Sequence, residues 1–382
     1  MVVLGAALWI AAHRLPWLGP MLADGLRAVI GAEAVTAIQD TAYGIQDRFN
    51  RWWRKDEAPK AYWEVPATVD TSKTDEVADA GEDAAPQVPP FRPQNVGPVH
   101  TSWSAPGDGE WVPVPDAQHP DAEVVMYKTL LHPDRNRSWA EVFVVAVDLK
   151  RVTLHAVAGW QEPKSFETAG KAYKRTAKIP EAHHPVLLGA FNGGFKTEHG
   201  WYGMKIDDVT LVKPRKNACT LAMMKDGSVK IATWQSVEGI EDRMAWFRQA
   251  PGCMYEGGEM HPGLRDPSSR AWGATLDGET VIRRSAIGID ASGETLFVAI
   301  TNDTTARALA DGVKHAGAST VAQMDVNWSY PKFVLYEPRP EGGLKAVPLA
   351  KGFEHGEDEY VGKLAMRDFF YLTRKSPEEL RP

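Results

Sequence analysis

An α/β chain of the α+β kind is expected over residues 122–374. It reads as a single domain with a mixed, twisted β-sheet flanked by helices, preceded by an N-terminal helical anchor or stalk and a proline-rich linker. Three observations predict this. Apolar runs rich in β-branched and aromatic residues follow one another from Val124 to Asp325, with turn signals between them. A helical segment, Thr304 to His315, separates two of the later runs, so the order strand, helix, strand suggests a crossover within a sheet. The chain has 382 residues, 43% of them hydrophobic, which is enough apolar material for one large core with appendages.

From the N-terminus, Val2 to Ala12 is an unbroken apolar run stopped by His13 and Arg14. It is shorter than the roughly 20 residues that span a bilayer. Only Met1 precedes it, so it lacks the positive n-region of a signal peptide. Residues 1–19 are read as the back half of a membrane anchor whose start lies upstream; a buried helix is the alternative. Pro20 to Lys55 reads as helix, with Leu22, Leu26, Val29, Ile38 and Ile45 near one face. It closes on Arg48, Arg51, Trp52, Trp53, Arg54 and Lys55, a mixture suited to a membrane interface or to a solvated helix end. Residues 20–65 are therefore expected as a juxtamembrane amphipathic helix. The chain is expected in the cell envelope, membrane-anchored or secreted, with the folded domain outside the cytoplasm.

Residues 66–121 read as linker, acidic and small from Ala67 to Ala85 and then holding nine prolines from Pro86 to Pro120. Such composition buries too little surface to offset its ordering entropy. Trp103 and Trp111 are exceptions expected to pack on the following domain. Strands are expected at Val124–Leu130, Ala140–Asp148, Val152–Ala158, Val186–Phe191, Thr220–Met224, Val229–Ile231, Val281–Ile289, Thr295–Thr301 and Thr320–Asp325. Residues 375–382 form a tail.

The net charge of -7 argues against a nucleic-acid partner, which usually demands a basic face. Fourteen tryptophans hint at carbohydrate, because aromatic faces stack on sugar rings, although most Trp side chains are core residues. Cys219 and Cys253 match no zinc or CxxC pattern; one disulfide and two buried thiols are both open readings. The histidines lack metal-ligand spacing and there is no calcium-loop pattern, so neither metal nor cofactor is expected. His183-His184 reads as a solvent-exposed loop pair. Lys213, Arg215 and Lys216 could draw in an anionic polymer or simply form a solvated turn.

Three segments concentrate chemistry. Phe191-Asn192-Gly193-Gly194-Phe195 follows an apolar strand, where two glycines let the backbone approach a ligand; Lys196, Glu198, His199 and Trp201 come next. Arg283-Arg284 enters an apolar strand, a costly placement unless the guanidinium meets an anion such as a phosphate or a structural carboxylate. Gln323-Met324-Asp325-Val326-Asn327-Trp328-Ser329-Tyr330 ends a strand in an acid, an amide, a hydroxyl and aromatics. Polar residues at a strand's carboxyl end carry functional weight, though Asp325 or Asn327 could equally cap a turn.

Taken together, these segments resemble the phosphodiester glycosidase family. Phe191 to Phe195 resembles its N-G-G-F-F stretch and Arg284 to Gly288 its R-T-A-I-G strand. Ala322 to Asp325 is similar to the start of its A-x-x-L-D-G-G-G-S stretch, and Tyr202 to Asp208 to its P-x-G-x-x-x-x-D-G segment. Order and spacing agree from Val124 to Leu335. Where the family has three glycines this chain has Val326, Asn327 and Trp328, which changes backbone freedom and pocket volume while keeping Asp325 and Ser329.

The resemblance implies hydrolysis of a sugar-1-phosphodiester linkage in an envelope or extracellular glycan. The leaving phosphate monoester has a second pKa near ~6 and needs little protonation, so the usual pair of catalytic carboxylates is dispensable. Arg284 is then expected to stabilise phosphate charge, helped by the N–H groups of Gly193 and Gly194. Asp325 is the expected base or oxocarbenium stabiliser, with His199 as the alternative base. Asn192, Asn327 and Ser329 would orient the substrate, and Trp201 and Trp328 would stack on its ring. The competing readings are a catalytically degenerate glycan- or phosphosugar-binding module and an envelope scaffold.

Overall fold

Strands buried on both faces are written as continuous apolar runs, and Val142–Asp148 is one: every residue in it is inaccessible. A computed structural model describes residues 29–65, 89–266, 272, 280–327, 329–376 and 378–380. The expected anchor, the start of the juxtamembrane helix and most of the acidic linker lie outside these residues.

In chain order the elements that position the site begin with helix α1 (Ala32–Trp53), then β1 (Val112–Pro113), β2 (Met126–Leu131), β3 (Val142–Asp148) and β4 (Val152–Val157). Helix α2 (Thr168–Ala172), β5 (Leu187–Asn192), β6 (Met204–Ile206), β7 (Val209–Val212), β8 (Cys219–Met224) and β9 (Val229–Thr233) follow. Next come α3 (Trp234–Val237), β10 (Met244–Ala250), β11 (Tyr255–Glu256), β12 (Glu259–Met260), β13 (Ile282–Ile289) and β14 (Thr295–Thr304). The chain closes with α4 (Ala306–His315), β15 (Thr320–Val326), β16 (Phe333–Pro338), β17 (Leu344–Pro348) and β18 (Phe369–Arg374).

The α+β class holds, with the described strands divided among three sheets. Their orders are β1-β2-β3-β14-β13-β15-β11-β12, β7-β6-β10-β8-β9 and β17-β16-β5-β18-β4. Paired neighbours run antiparallel. The expected crossover is present: α4 carries the chain from β14 over β13 to β15, so the two strands it joins share a direction without touching. Thr305 caps this helix, its hydroxyl accepting from the Ala308 N–H at 3.1 Å.

One core serves all three sheets. Phe143, Val145 and Ile287 of the large sheet meet Leu221 and Trp246 of the second and Phe191 and Phe370 of the third. The other face of the large sheet, Val142, Val144 and Ala146, packs on Leu309, Ala310 and Val313 of α4. Alternation along β3 thus divides its side chains between two clusters. Cys219 and Cys253 form a disulfide, which decides between the two sequence readings.

Segments expected to be linker or stalk lie on this domain where they carry aromatics. Tyr62 and Trp63 set their rings 4.9 and 5.8 Å from that of Phe143. Trp111 is buried and donates its indole N–H to Gln94 O at 3.0 Å, and Trp103 donates to Asp134 O at 3.0 Å. Residues 89–121 are therefore seated on the domain, because these rings supply apolar area that the surrounding prolines lack. Helix α1 is held by its polar face: Arg137 donates to both Asp47 carboxylate oxygens at 2.7 Å, and the Arg54 guanidinium lies 5.0 Å over Trp139. Among the described residues, no helix is long and apolar enough to cross a membrane.

Candidate functional site

Strand β5 lies inside its sheet, between β16 and β18, and delivers the chain into the Gly193-Gly194 turn. Both glycines are there for space. A Cβ on Gly193 would collide with Asp368, and one on Gly194 would lie 2.8 Å from the Arg248 guanidinium. Asn192, ending β5, is almost fully buried; its amide donates to Ser285 Oγ at 2.8 Å while its Oδ1 accepts the Lys332 N–H at 3.0 Å. Ser285 passes the chain on, donating to Asp325 O at 3.0 Å, and the Asp325 N–H donates to Gly193 O at 3.3 Å. The glycine turn and the end of β15 are thereby joined across two sheets.

Asp325 faces this junction because of a β-bulge. Between the pairs Arg284↔Val326 and Ala286↔Gln323, β15 has one residue more than β13. The extra residue breaks the alternation and turns the Asp325 side chain away from the helix-covered face that Gln323 occupies. It forms an ion pair with the Arg367 guanidinium, which lies 3.8 Å over the Tyr330 ring and also donates to Gly194 O at 3.3 Å. Arg367 Nε has no partner. Burial pushes the Asp325 carboxyl up to about 6, against the opposing pull of Arg367. Burial also raises the Tyr330 phenol, which donates to Asp368 O at 2.6 Å.

Beneath lies a second pair. Arg248, wholly inaccessible on β10, donates from Nε to Asp368 Oδ2 at 2.8 Å. Its remaining donors reach Phe195 O at 2.6 Å, Tyr202 O at 2.9 Å and Gln249 O at 3.2 Å. Asp368 in turn accepts the Gly194 N–H at 2.9 Å on its carboxylate and the Gly193 N–H at 2.9 Å on its carbonyl. A buried ion pair with every polar atom answered sets geometry more than it adds stability.

The structure brings Asn192, Gly193, Gly194 and Asp325 together. It sends Arg284 elsewhere: on the opposite face of β13 from Ser285, its guanidinium donates to Thr304 O at 3.1 Å, Trp272 O at 2.7 Å, Thr280 O at 2.7 Å and Gln323 Oε1 at 2.9 Å. With carbonyls occupying its donors, Arg284 braces backbone, and the cation beside Asp325 is Arg367. The N–H groups of Gly193 and Gly194, expected to face substrate, are likewise committed to Asp368. Asn327 Oδ1 accepts the Ser329 N–H at 3.2 Å, the turn-capping role open to it from the sequence. His199 and Trp201 are exposed, on the short helical turn Thr197–His199 and the segment after it. Trp328 lies outside the described residues.

Sequence reasoning named Tyr330 within the third segment without giving it a role, and missed Arg248, Arg367 and Asp368. A signal existed for the last two: an Arg-Asp pair stands directly before the apolar run Phe369 to Leu372, at the mouth of an unrecognised strand.

No family model and no curated protein matches the chain. Among solved structures it is similar to the zebrafish N-acetylglucosamine-1-phosphodiester alpha-N-acetylglucosaminidase catalytic domain, auto-inhibited by its pro-peptide. The TM-score is 0.42 at 14% identity, covering 69% of this chain and 88% of that one. It is also similar to a hypothetical protein from Synechocystis, with TM-score 0.35 and 9% identity over 67% of this chain and 65% of that one. A third is a putative exported protein from Burkholderia pseudomallei, with TM-score 0.29 and 11% identity over 61% of this chain and 74% of that one. These are likenesses of fold at low identity.

Proposed function

We propose that this protein is a glycosidase that hydrolyses a sugar-1-phosphodiester linkage in a glycan outside the cytoplasm. The observation that carries it is the buried Asp325–Arg367 pair seated on the Asn192-Gly193-Gly194 turn, where the motifs resembling the family converge. A phosphodiester entering the site would compete with Asp325 for the Arg367 guanidinium. Losing that cation removes what holds the carboxyl down, so Asp325 becomes a stronger base as substrate binds. It then takes a proton from water attacking the anomeric carbon, or stabilises the oxocarbenium charge, as the C–O bond breaks and the phosphate monoester leaves on Arg367.

The test is release of the free sugar from N-acetylglucosamine-1-phosphodiesters and UDP-sugars by the purified chain and by Asp325→Asn. Release abolished in the variant supports hydrolysis centred on Asp325. A folded protein that binds these compounds without releasing sugar would instead be the degenerate binding module, a reading favoured by Val326 and Asn327 where the family has glycines.

The domain's place is proposed to be the membrane surface. Ile38, Ile45, Phe49 and Trp52 are each more than half exposed on the side of α1 opposite Asp47, the residue that Arg137 clamps. Such a helix turns its polar face to its own domain and its apolar stripe outward, with Arg48 and Lys55 on the flank. Because Cys219 and Cys253 are paired, single cysteines at 45, 49 and 52 can be labelled cleanly. Labels immersed in vesicles at those positions, but not at position 46, support this placement; labels that stay aqueous refute it.

A further inference from the structure

Beyond the Asp325 cluster, an open cleft of about 480 Å³ lies between the segment leading into α2 and the segment from β7 to Arg215. Its size suits a small ligand or one unit of a polymer. Trp201 and Phe166 stand in it with ring centroids 5.0 Å apart, and both are about half exposed. Large aromatics left in water next to each other are a stacking platform for the apolar faces of sugar rings.

The platform is held out deliberately. Gly200 and Trp201 both have positive φ, 136° and 54°, and Trp201 does so without glycine's freedom. Its N–H donates to Thr197 O at 2.7 Å, and the Arg215 guanidinium donates to Gly200 O. Buried Gln249 ties the segment that follows Trp201 to the Arg215 wall: its Oε1 accepts the Gly203 N–H at 3.0 Å and the Arg215 N–H at 2.7 Å. Gln249 is the chain neighbour of Arg248, which positions Asp368. Consecutive residues of β10 therefore fix the cleft and the candidate site relative to one another.

On a chain of net charge -7, the cleft is lined by Lys164, Lys213 and Arg215 against the single acid Glu167. Lys213 pairs with Glu167 at 3.0 Å, and Lys164 pairs with Glu198 at 3.5 Å and with Glu162 at 3.8 Å. The Lys213–Glu167 and Lys164–Glu198 pairs are exposed on both sides and so exchange readily for a ligand anion.

We infer that this cleft is a second subsite that binds a phosphate-bearing glycan chain, Trp201 and Phe166 stacking on a sugar and Lys164, Lys213 and Arg215 meeting its phosphates. The assignment rests on the proposed glycosidase only for what the bound chain is then presented to. Its test is therefore binding, measured on the uncleaving Asp325→Asn full chain. A polysaccharide whose repeats are joined by phosphodiesters is compared with neutral dextran of equal length and with inorganic polyphosphate. The expected result is binding of the phosphoglycan that weakens by about tenfold or more with added Trp201→Ala, and also with Lys213→Ala. Phe166→Ala serves as a second exposed substitution should Trp201→Ala disturb the turn. Equal binding of dextran would overturn the anionic assignment. Polyphosphate bound as tightly as phosphoglycan and untouched by Trp201→Ala would reduce the cleft to a charged surface, and no binding by any polymer would overturn it outright. Absence of sugar release by the unmutated chain, with phosphoglycan binding retained, would count against the glycosidase alone.

Discussion

Replacing Arg248 with methionine isolates what the lower ion pair does. The substitution keeps most of the side-chain volume but strips the charge-assisted bond to Asp368 Oδ2 and the donors to Phe195 O, Tyr202 O and Gln249 O. Asp368, 1% exposed, is left as a buried carboxylate whose remaining donor in the site is the Gly194 N–H. Removing one partner of a buried pair costs about 3–5 kcal/mol. Three orphaned carbonyls add about 1 kcal/mol each, so a loss of roughly 6–8 kcal/mol is expected before relaxation. Urea unfolding of the wild type, Arg248→Met, Asp368→Asn and the double variant measures it. Neutralising Asp368 in the Arg248→Met background should restore about 1–3 kcal/mol, because the stranded charge is gone. A single-variant cost below about 1 kcal/mol, or no recovery in the double variant, would refute the view that this pair carries the glycine turn.

Three further outcomes follow from the site and its surroundings. The folded protein holds the Asp325 proton up to about 6, against an ordinary 3.8, so the group's contribution to stability is present below pH ~4 and lost as pH rises towards 6. That loss is on the order of 3 kcal/mol. Sugar release at low substrate, which needs the ionised form of the free protein, should rise through pH about 6, and Asp325→Asn should flatten the stability profile; a profile with no inflection between pH ~4 and 7 would refute this. Arg284→Ala should cost about 3–4 kcal/mol of stability through its orphaned carbonyls while the folded fraction keeps its turnover. Turnover lost at unchanged stability would return Arg284 to the substrate. Opening the Cys219–Cys253 bridge frees a loop of 34 residues. Cys253→Ser with Cys219→Ser should lower stability by about 3–4 kcal/mol in chemical denaturation, and an unchanged midpoint would show that the unfolded chain gains nothing from the link.

Much of the fold is legible because a strand buried on both sides has no choice but to be apolar throughout. Val142–Val147 of β3 and Leu296–Ile300 of β14 are of that kind, and α4 announces itself by Ala and Leu at helical spacing. Strand β10 escaped notice because Arg248 and Gln249 interrupt it as if they faced water, though both are wholly inaccessible. A charge hidden by a partner 120 residues away leaves no periodicity to read. The same holds for the candidate site. Asn192, Gly193, Gly194 and Asp325 could be named because each lies in a local motif. Which arginine would stand beside Asp325 could not. That choice belongs to the pleat of β13, which points Arg284 and Ser285 to opposite faces, and to a bulge in β15 that re-aims one carboxylate. Register and pleat are properties of paired strands, so the sequence determines which residues can do chemistry and only the assembled sheets decide which of them meet.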